Sequence, residues 1–125
     1  MRGITMNIEK KPNPSLNQYI KSEEKEWVKL DEPGIEGVYT KTLKYDKEQN
    51  RSPSFLLKFE KGTHYPRHMH PAGEEIYVLD GSVKVGINKM EKGDYLYTAP
   101  GNVHDVFSEN GCVLFLNVPE AVILI

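Results

Sequence analysis

Apolar and polar residues alternate along much of this chain with a period of two, the mark of strands that bury one face. Val38 to Tyr45 alternates in this way. Ser54 to Phe59 places Phe55, Leu57 and Phe59 on one face and Lys58 on the other, and Val83, Val85 and Ile87 repeat the pattern. Turn signals separate these runs: a charged loop from Asp46 to Pro53, the pair Asp80-Gly81, and Lys92-Gly93-Asp94. Trp27 to Leu30, Glu75 to Leu79, Tyr95 to Thr98, Asp105 to Ser108 and Cys112 to Val118 complete the predicted strands. Short strands at this spacing predict an all-β fold, a single antiparallel β-barrel or jelly roll. The only helical signal is one short turn at Ser22 to Glu26, with Ser22 as its expected cap.

Ahead of this periodicity, residues 1–20 carry Lys10, Lys11, Pro12 and Pro14 and read as a loosely ordered arm. Residues 21–125 are then one barrel domain, and Met6 is a candidate alternative start within the arm. A length of 125 residues suits one hydrophobic core and not two. With 38% hydrophobic and 27% charged residues, the chain has the balance of an ordinary globular domain. A net charge of -2 without a basic stripe argues against nucleic acid or a membrane surface as a partner. No stretch is apolar enough to serve as a signal peptide or to span a bilayer, so a cytoplasmic location is expected. The single cysteine, Cys112, excludes an internal disulfide framework and a cysteine-rich zinc site.

The histidines change the picture from fold to chemistry. His68 and His70 are two apart, so on a strand both imidazoles project from one face while Met69 points the other way. Pro71-Ala72-Gly73 is a short turn that can fold Glu74 back toward both rings. Glu74 shares a strand face with Ile76 and Val78, which favours it over Glu75 as the inward carboxylate; a register shifted by one would choose Glu75. His104 follows Pro100-Gly101, where a second hairpin could return it to the cluster. Three imidazoles and a carboxylate suit one divalent transition metal (Fe, Zn, Mn, Ni, Co or Cu) and not Ca or Mg. On an octahedral ion, the ligands His68, His70, Glu74 and His104 leave open positions for water or substrate. On tetrahedral zinc the same four close the site.

The run Gly62-Thr-His-Tyr-Pro-Arg-His68-Met-His70-Pro-Ala-Gly-Glu74-Glu-Ile-Tyr-Val-Leu-Asp-Gly81 resembles the first cupin motif at every defining position. Gly93-Asp-Tyr-Leu-Tyr-Thr-Ala-Pro100-Gly101-Asn-Val-His104 resembles the second, whose tail departs only in having Phe107 or Ser108 where Asn is customary. Within the cupins, Glu24 to Val118 is similar to the ChrR-type group, on Glu26-Trp27-Val28-Lys29-Leu30, Glu74 to Gly81 and Gly111-Cys112-Val113-Leu114-Phe115. The resemblance implies a barrel of six to eight strands, often dimeric, in which His68, His70, Glu74 and His104 hold a metal. ChrR anti-sigma proteins also carry an N-terminal zinc-binding domain. This chain has neither the length nor the cysteines for it, so their regulatory role is not expected to carry over.

The remaining residues refine this reading. Phe55, Leu57 and Phe59 are expected to line a dry cavity for a small organic molecule. Tyr77 and Tyr97 are either pocket phenols or packing residues, Arg67 is either an anchor for an anionic substrate or a solvated base, and His64 is an exposed loop residue. Cys112 is expected to be buried in a strand. The tail Val118 to Ile125 is too apolar to hang in water; pairing at a sheet edge or packing across an interface would cover it, and with the resemblance it suggests a homodimer. The leading functional expectation is a small metal-dependent enzyme, an oxygenase of a diketone- or flavonoid-like molecule, with Glu74 as ligand or base. The alternatives are a non-catalytic metal- or ligand-sensing module and a sugar isomerase or epimerase.

Overall fold

The computed structural model describes residues 3–125, so Met1 and Arg2 of the expected arm lie outside the described residues. Residues 3–20 are exposed and irregular apart from one 3-10 turn at Pro14–Leu16. A second 3-10 turn, Ser22–Glu24, stands at the expected helical signal, but its N-cap position is Lys21 and no side chain caps it. Beyond it every element is a strand, as the alternation requires. They are β1 (Val28–Lys29), β2 (Val38–Asp46), β3 (Arg51–Phe59), β4 (Thr63–Met69), β5 (Glu74–Val85), β6 (Asn88–Glu91), β7 (Tyr95–Thr98), β8 (Val103–Ser108), β9 (Cys112–Asn117) and β10 (Ile123–Leu124).

All pairings are antiparallel, and the strands form one curled sheet in the order β1-β2-β3-β9-β5-β8-β4-β10. The first half of β5 also pairs with β7 and its second half with β6. Curling turns one face of the sheet inward. There Val38, Phe59, Ile76, Val78, Val85 and Leu114 are almost wholly buried. Removing one such side chain, as in Leu114→Ala, costs roughly 2–5 kcal/mol in a core of this kind.

Asp80-Gly81 is not the turn that the sequence suggested. β5 runs straight through it, with a register shift against β9 between Val78 and Asp80. This is a β-bulge, which bends the strand and lets it pass from one half of the curled sheet to the other. Gly81 is required there: its φ is +75°, and a Cβ would press on Gly111 O and lie 2.9 Å from Cys112 Cα. The chain instead turns at Gly86-Ile87, leaving Ile87 exposed and opening β6, a strand the periodicity did not reveal. The expected charged loop is likewise shorter, because β3 begins at Arg51.

The tail finds a place on its own chain. Ile123 pairs with Met69 and Leu124 with His68, so β10 covers the free edge of β4. Sheet-edge pairing of the backbone is thus observed, while the side chains of Ile123, Leu124 and Ile125 stay 48%, 54% and 63% exposed.

The bulge is tested by Gly81→Ala. Left-handed backbone strain alone is expected to cost about 1–3 kcal/mol, and the clash with the Gly111 carbonyl adds to it. Urea unfolding should show a lower midpoint than the parent, whereas Gly3→Ala, with open space around its Cβ, should leave the midpoint unchanged.

Candidate metal centre

Two hairpin-like connections carry the polar cluster. After β4, Gly73 N–H donates to His70 O (3.2 Å), Gly101 N–H donates to the same carbonyl (2.8 Å), and His70 N–H donates to Asn102 O (3.1 Å). His70 is thereby tied at once to its own turn and to the turn that leads into β8. Gly73 makes the close approach possible: its φ is +80°, and a Cβ would sit 2.7 Å from Thr98 O. Across the sheet, His68 and His104 are direct partners in the β4–β8 register. Glu74 opens β5 opposite Thr98 on β7.

The result is a crowd of donor atoms inside the barrel. His68 Nε2 lies 2.9 Å from His70 Nε2, which lies 3.2 Å from His104 Nε2. Glu74 Oε1 lies 3.4 Å from His70 Nε2 and 3.3 Å from His104 Nε2. All four residues are buried, whereas Glu75 is exposed on the other face and its carboxylate accepts the Tyr95 hydroxyl (2.7 Å).

Hydrogen bonds among the rings do not satisfy every atom of the cluster: His70 Nδ1 and Glu74 Oε1 are buried without a partner. His68 Nδ1 donates to Pro66 O (2.7 Å), which leaves Nε2 of the neutral ring as a lone pair aimed at the other imidazoles. Burial, with smaller contributions from His70 and His104, pulls His68 below the usual histidine pKa. Burial and then the neighbouring His104 pull His70 down to about 4. Glu74 Oε1 is buried without any hydrogen-bond partner. Lone pairs packed this closely repel unless a proton or a metal cation lies between them. Ligand atoms around a metal with bonds of about 2.1 Å stand about 3.0–3.4 Å apart, which is the spacing seen here. The three buried histidines can therefore hold a metal ion, and the donor set does not specify which.

Beside the cluster lies a cavity of about 420 Å³. His68, His70 and Glu74 form part of its wall, and His104 meets them from β8. Phe55, Leu57 and Phe59 line it as expected, with Ile76, Leu114 and Leu116 continuing the apolar surface. Six polar residues of the lining escaped the sequence reading: Glu32, Thr40, Thr42, Arg51, Ser52 and Tyr65. The Tyr65 hydroxyl donates to Glu32 Oε2 (2.8 Å), and the Tyr65 ring packs edge-on against His68 with centroids 4.9 Å apart. Burial first, and Glu32 second, push the Tyr65 phenol far above its ordinary pKa. Arg51 Nη1 donates to Val118 O (2.7 Å) and Pro119 O (3.0 Å), holding the C-terminal crossing over the cavity beside Val122. The signal for Tyr65 was its parity with Thr63 on β4; Glu32 and Arg51 gave none, because their places depend on long-range pairing.

The other candidates fall outside. Tyr77 and Tyr97 are on the outer face, Arg67 is exposed, and Cys112 is buried in β9 with its thiol pKa pushed up by burial. His64 lies on β4 and not in a loop, since Pro66 causes a register shift between Tyr65 and His68 without ending the strand. Its exposed ring meets Asp105 at 3.2 Å. Ser108, at the departed position of the second motif, is buried and donates to Ser82 O (2.7 Å).

Comparison with known proteins now has a geometry to meet. Residues 16–120 match the ChrR cupin-like domain. The chain belongs to that cupin family. Among solved structures, this cupin is similar to the polyketide cyclase RemF from Streptomyces resistomycificus (TM-score 0.71, 18% identity, 87% of this chain and 85% of that one). It is similar also to an acetylacetone dioxygenase from Acinetobacter johnsonii (TM-score 0.71, 16% identity, 96% of this chain and 80% of that one). A third match is to the complex of Rhodobacter sphaeroides SigE with the anti-sigma ChrR (TM-score 0.61, 22% identity, 77% of this chain and 49% of that one). At these identities the likeness speaks for the fold. Among curated protein sequences none matches this one. None of the helices among the described residues is long and apolar enough to cross a membrane.

His64→Ala separates the buried cluster from the exposed histidine. An exposed pair of this type is worth less than about 1 kcal/mol, so unfolding by urea should barely change. Binding of Co(II), followed by its visible absorption, should match the parent.

Proposed function

We propose that this cupin is a small metal-dependent enzyme acting on an organic molecule, most simply an oxygenase of a diketone- or flavonoid-like substrate. The observation that carries the reading is the position of the cluster: lone pairs of His68 and His70 and the unpartnered Glu74 oxygen edge an apolar cavity large enough for such a molecule. In this reading His68, His70, Glu74 and His104 are the ligands of one divalent transition metal. When bound, that metal would polarise a pair of substrate oxygens or pass electrons toward dioxygen.

The chain's own residues supply the rest. Phe55, Leu57, Leu114 and Leu116 exclude water and grip an apolar substrate body. Glu74, whose Oε1 accepts no hydrogen bond, serves either as a ligand or, released from the ion, as the base that takes a proton from a substrate carbon or hydroxyl at the cluster. The Tyr65 hydroxyl, held by Glu32, stays protonated at neutral pH and orients the ring that packs on His68. Arg51 ties β3 to the crossing at Val118 and Pro119 beside the cavity. Apolar residues supply most of the lining surface, which favours an apolar substrate body over a sugar.

Metal analysis by mass spectrometry of the purified protein should find close to one transition-metal equivalent per chain. Glu74→Gln should weaken metal affinity by about tenfold or more, at least the scale seen when an outer partner of a ligand is lost; Glu75→Gln should leave it unchanged. Equal effects of the two substitutions would remove Glu74 from the ligand set.

The oxygenase reading predicts oxygen consumption when the metal-loaded protein meets β-diketones or flavonols, recorded with an oxygen electrode. Loss of that consumption in Phe55→Arg, with metal content retained, would place the substrate in the cavity. A metal-loaded protein that consumes no oxygen with either substrate class, and unfolds on chelation, would instead favour a structural or sensing site.

A further inference from the structure

Arg51 stands in the cavity wall across an apolar stretch from the histidine cluster. β3 and β5 both run antiparallel to β9, so they point the same way, and Arg51 and Glu74 are their first residues. Both line the cavity, one on either side of β9. Their strands stand two spacings apart, about 10 Å. Between them the wall is Val118, with the cross-strand row of Phe55, Leu116 and Ile76 beneath it. Thr42, paired with Phe55 on β2, adds a hydroxyl to the Arg51 side.

Only part of the Arg51 guanidinium is committed to the protein. Nη1 donates to Val118 O and Pro119 O, which fixes the side chain against the crossing. Among the described residues no acceptor meets Nε or Nη2, and no carboxylate forms an ion pair with this arginine. A half-buried cation beside an apolar chamber is costly without a counter-ion. The Nε and Nη2 edge has the geometry that takes both oxygens of a carboxylate. Glu32, the acidic residue of the lining outside the cluster, accepts the Tyr65 hydroxyl on β4, in the other half of the curled sheet. An anionic group is therefore drawn to the Arg51 side of the cavity and repelled from the Glu32 side.

We infer that this site takes an acidic substrate: its paired oxygens lie at the cluster, its apolar body crosses Val118 and Phe55, and a carboxylate at its far end is held by Arg51. The inference rests on the proposed function for the cluster end and adds the class of molecule that the cavity selects. The sequence offers Arg67 as an anchor for an anion, but that residue is exposed and does not line the cavity. A neutral diketone leaves the Arg51 charge without a counter-ion, whereas an aryl or acyl diketone that carries a carboxylate supplies one. Arg51 is thus a specificity-determining residue and takes no part in the chemical step.

Isothermal titration of the Zn(II)-loaded full chain with para-acetoacetylbenzoate and with its methyl ester tests it. The two probes share a diketone and a ring and differ in the charge at the far end. The parent should bind the acid about tenfold or more tightly than the ester. Arg51→Met should abolish that preference by weakening the acid alone. Arg51→Lys should leave a smaller preference, because lysine keeps the charge and loses the two-oxygen fork. Arg67→Met should keep the parent's preference. Circular dichroism checks that each variant folds, and the parent with Arg51→Lys carries the test if Arg51→Met does not. Equal binding of acid and ester by the parent, or a preference unchanged in the Arg51 variants, would overturn the inference and leave the proposed function standing. Binding of neither probe to protein that holds its metal would overturn both.

Discussion

Three imidazole nitrogens and a carboxylate oxygen, four of their pairs 2.9–3.4 Å apart and all of them buried, are the constraint around which this barrel is arranged. Such a group is costly to assemble, because burial strips each polar atom of water and the lone pairs then face one another. The cost is met by backbone. The β4–β8 register sets His68 against His104, two turns share the His70 carbonyl, and Gly73 lets them close on each other. A cluster held by so many main-chain bonds is organised before any ion arrives, which is how a tight and selective site is built.

The same arrangement explains why the cavity lies where it does. The strands that carry Glu74 and His104 also carry apolar residues of the same parity. Ile76 follows Glu74 on β5, and Val106 follows His104 on β8. The chemistry therefore sits at the wall of a dry chamber without any added element. Arg51 and the Glu32–Tyr65 pair are the exceptions, and both join distant parts of the chain around that chamber.

Much of this could be read from the residues alone. Parity placed His68 with His70 and set Glu74 apart from Glu75, and the structure buries the first three and exposes the fourth. The all-β class and most strands followed from alternation, and the family from two motifs. What alternation could not show was that β5 runs through Asp80-Gly81 behind a bulge at Leu79, since an Asp-Gly pair reads as a turn unless the partner strand is known. β6 was hidden for the same reason: Ile87 continues an apolar phase into what is a hairpin tip. Glu32, Arg51 and the pairing of β10 with β4 depend on contacts between residues far apart in sequence.

The most direct test of the central claim is anomalous X-ray scattering from a crystal of the protein loaded with Co(II). The account predicts a single strong peak among His68 Nε2, His70 Nε2 and His104 Nε2, with Glu74 Oε1 within bonding reach of it. A peak beside His64 and Asp105, or none at all in a crystal that otherwise diffracts well, would contradict it.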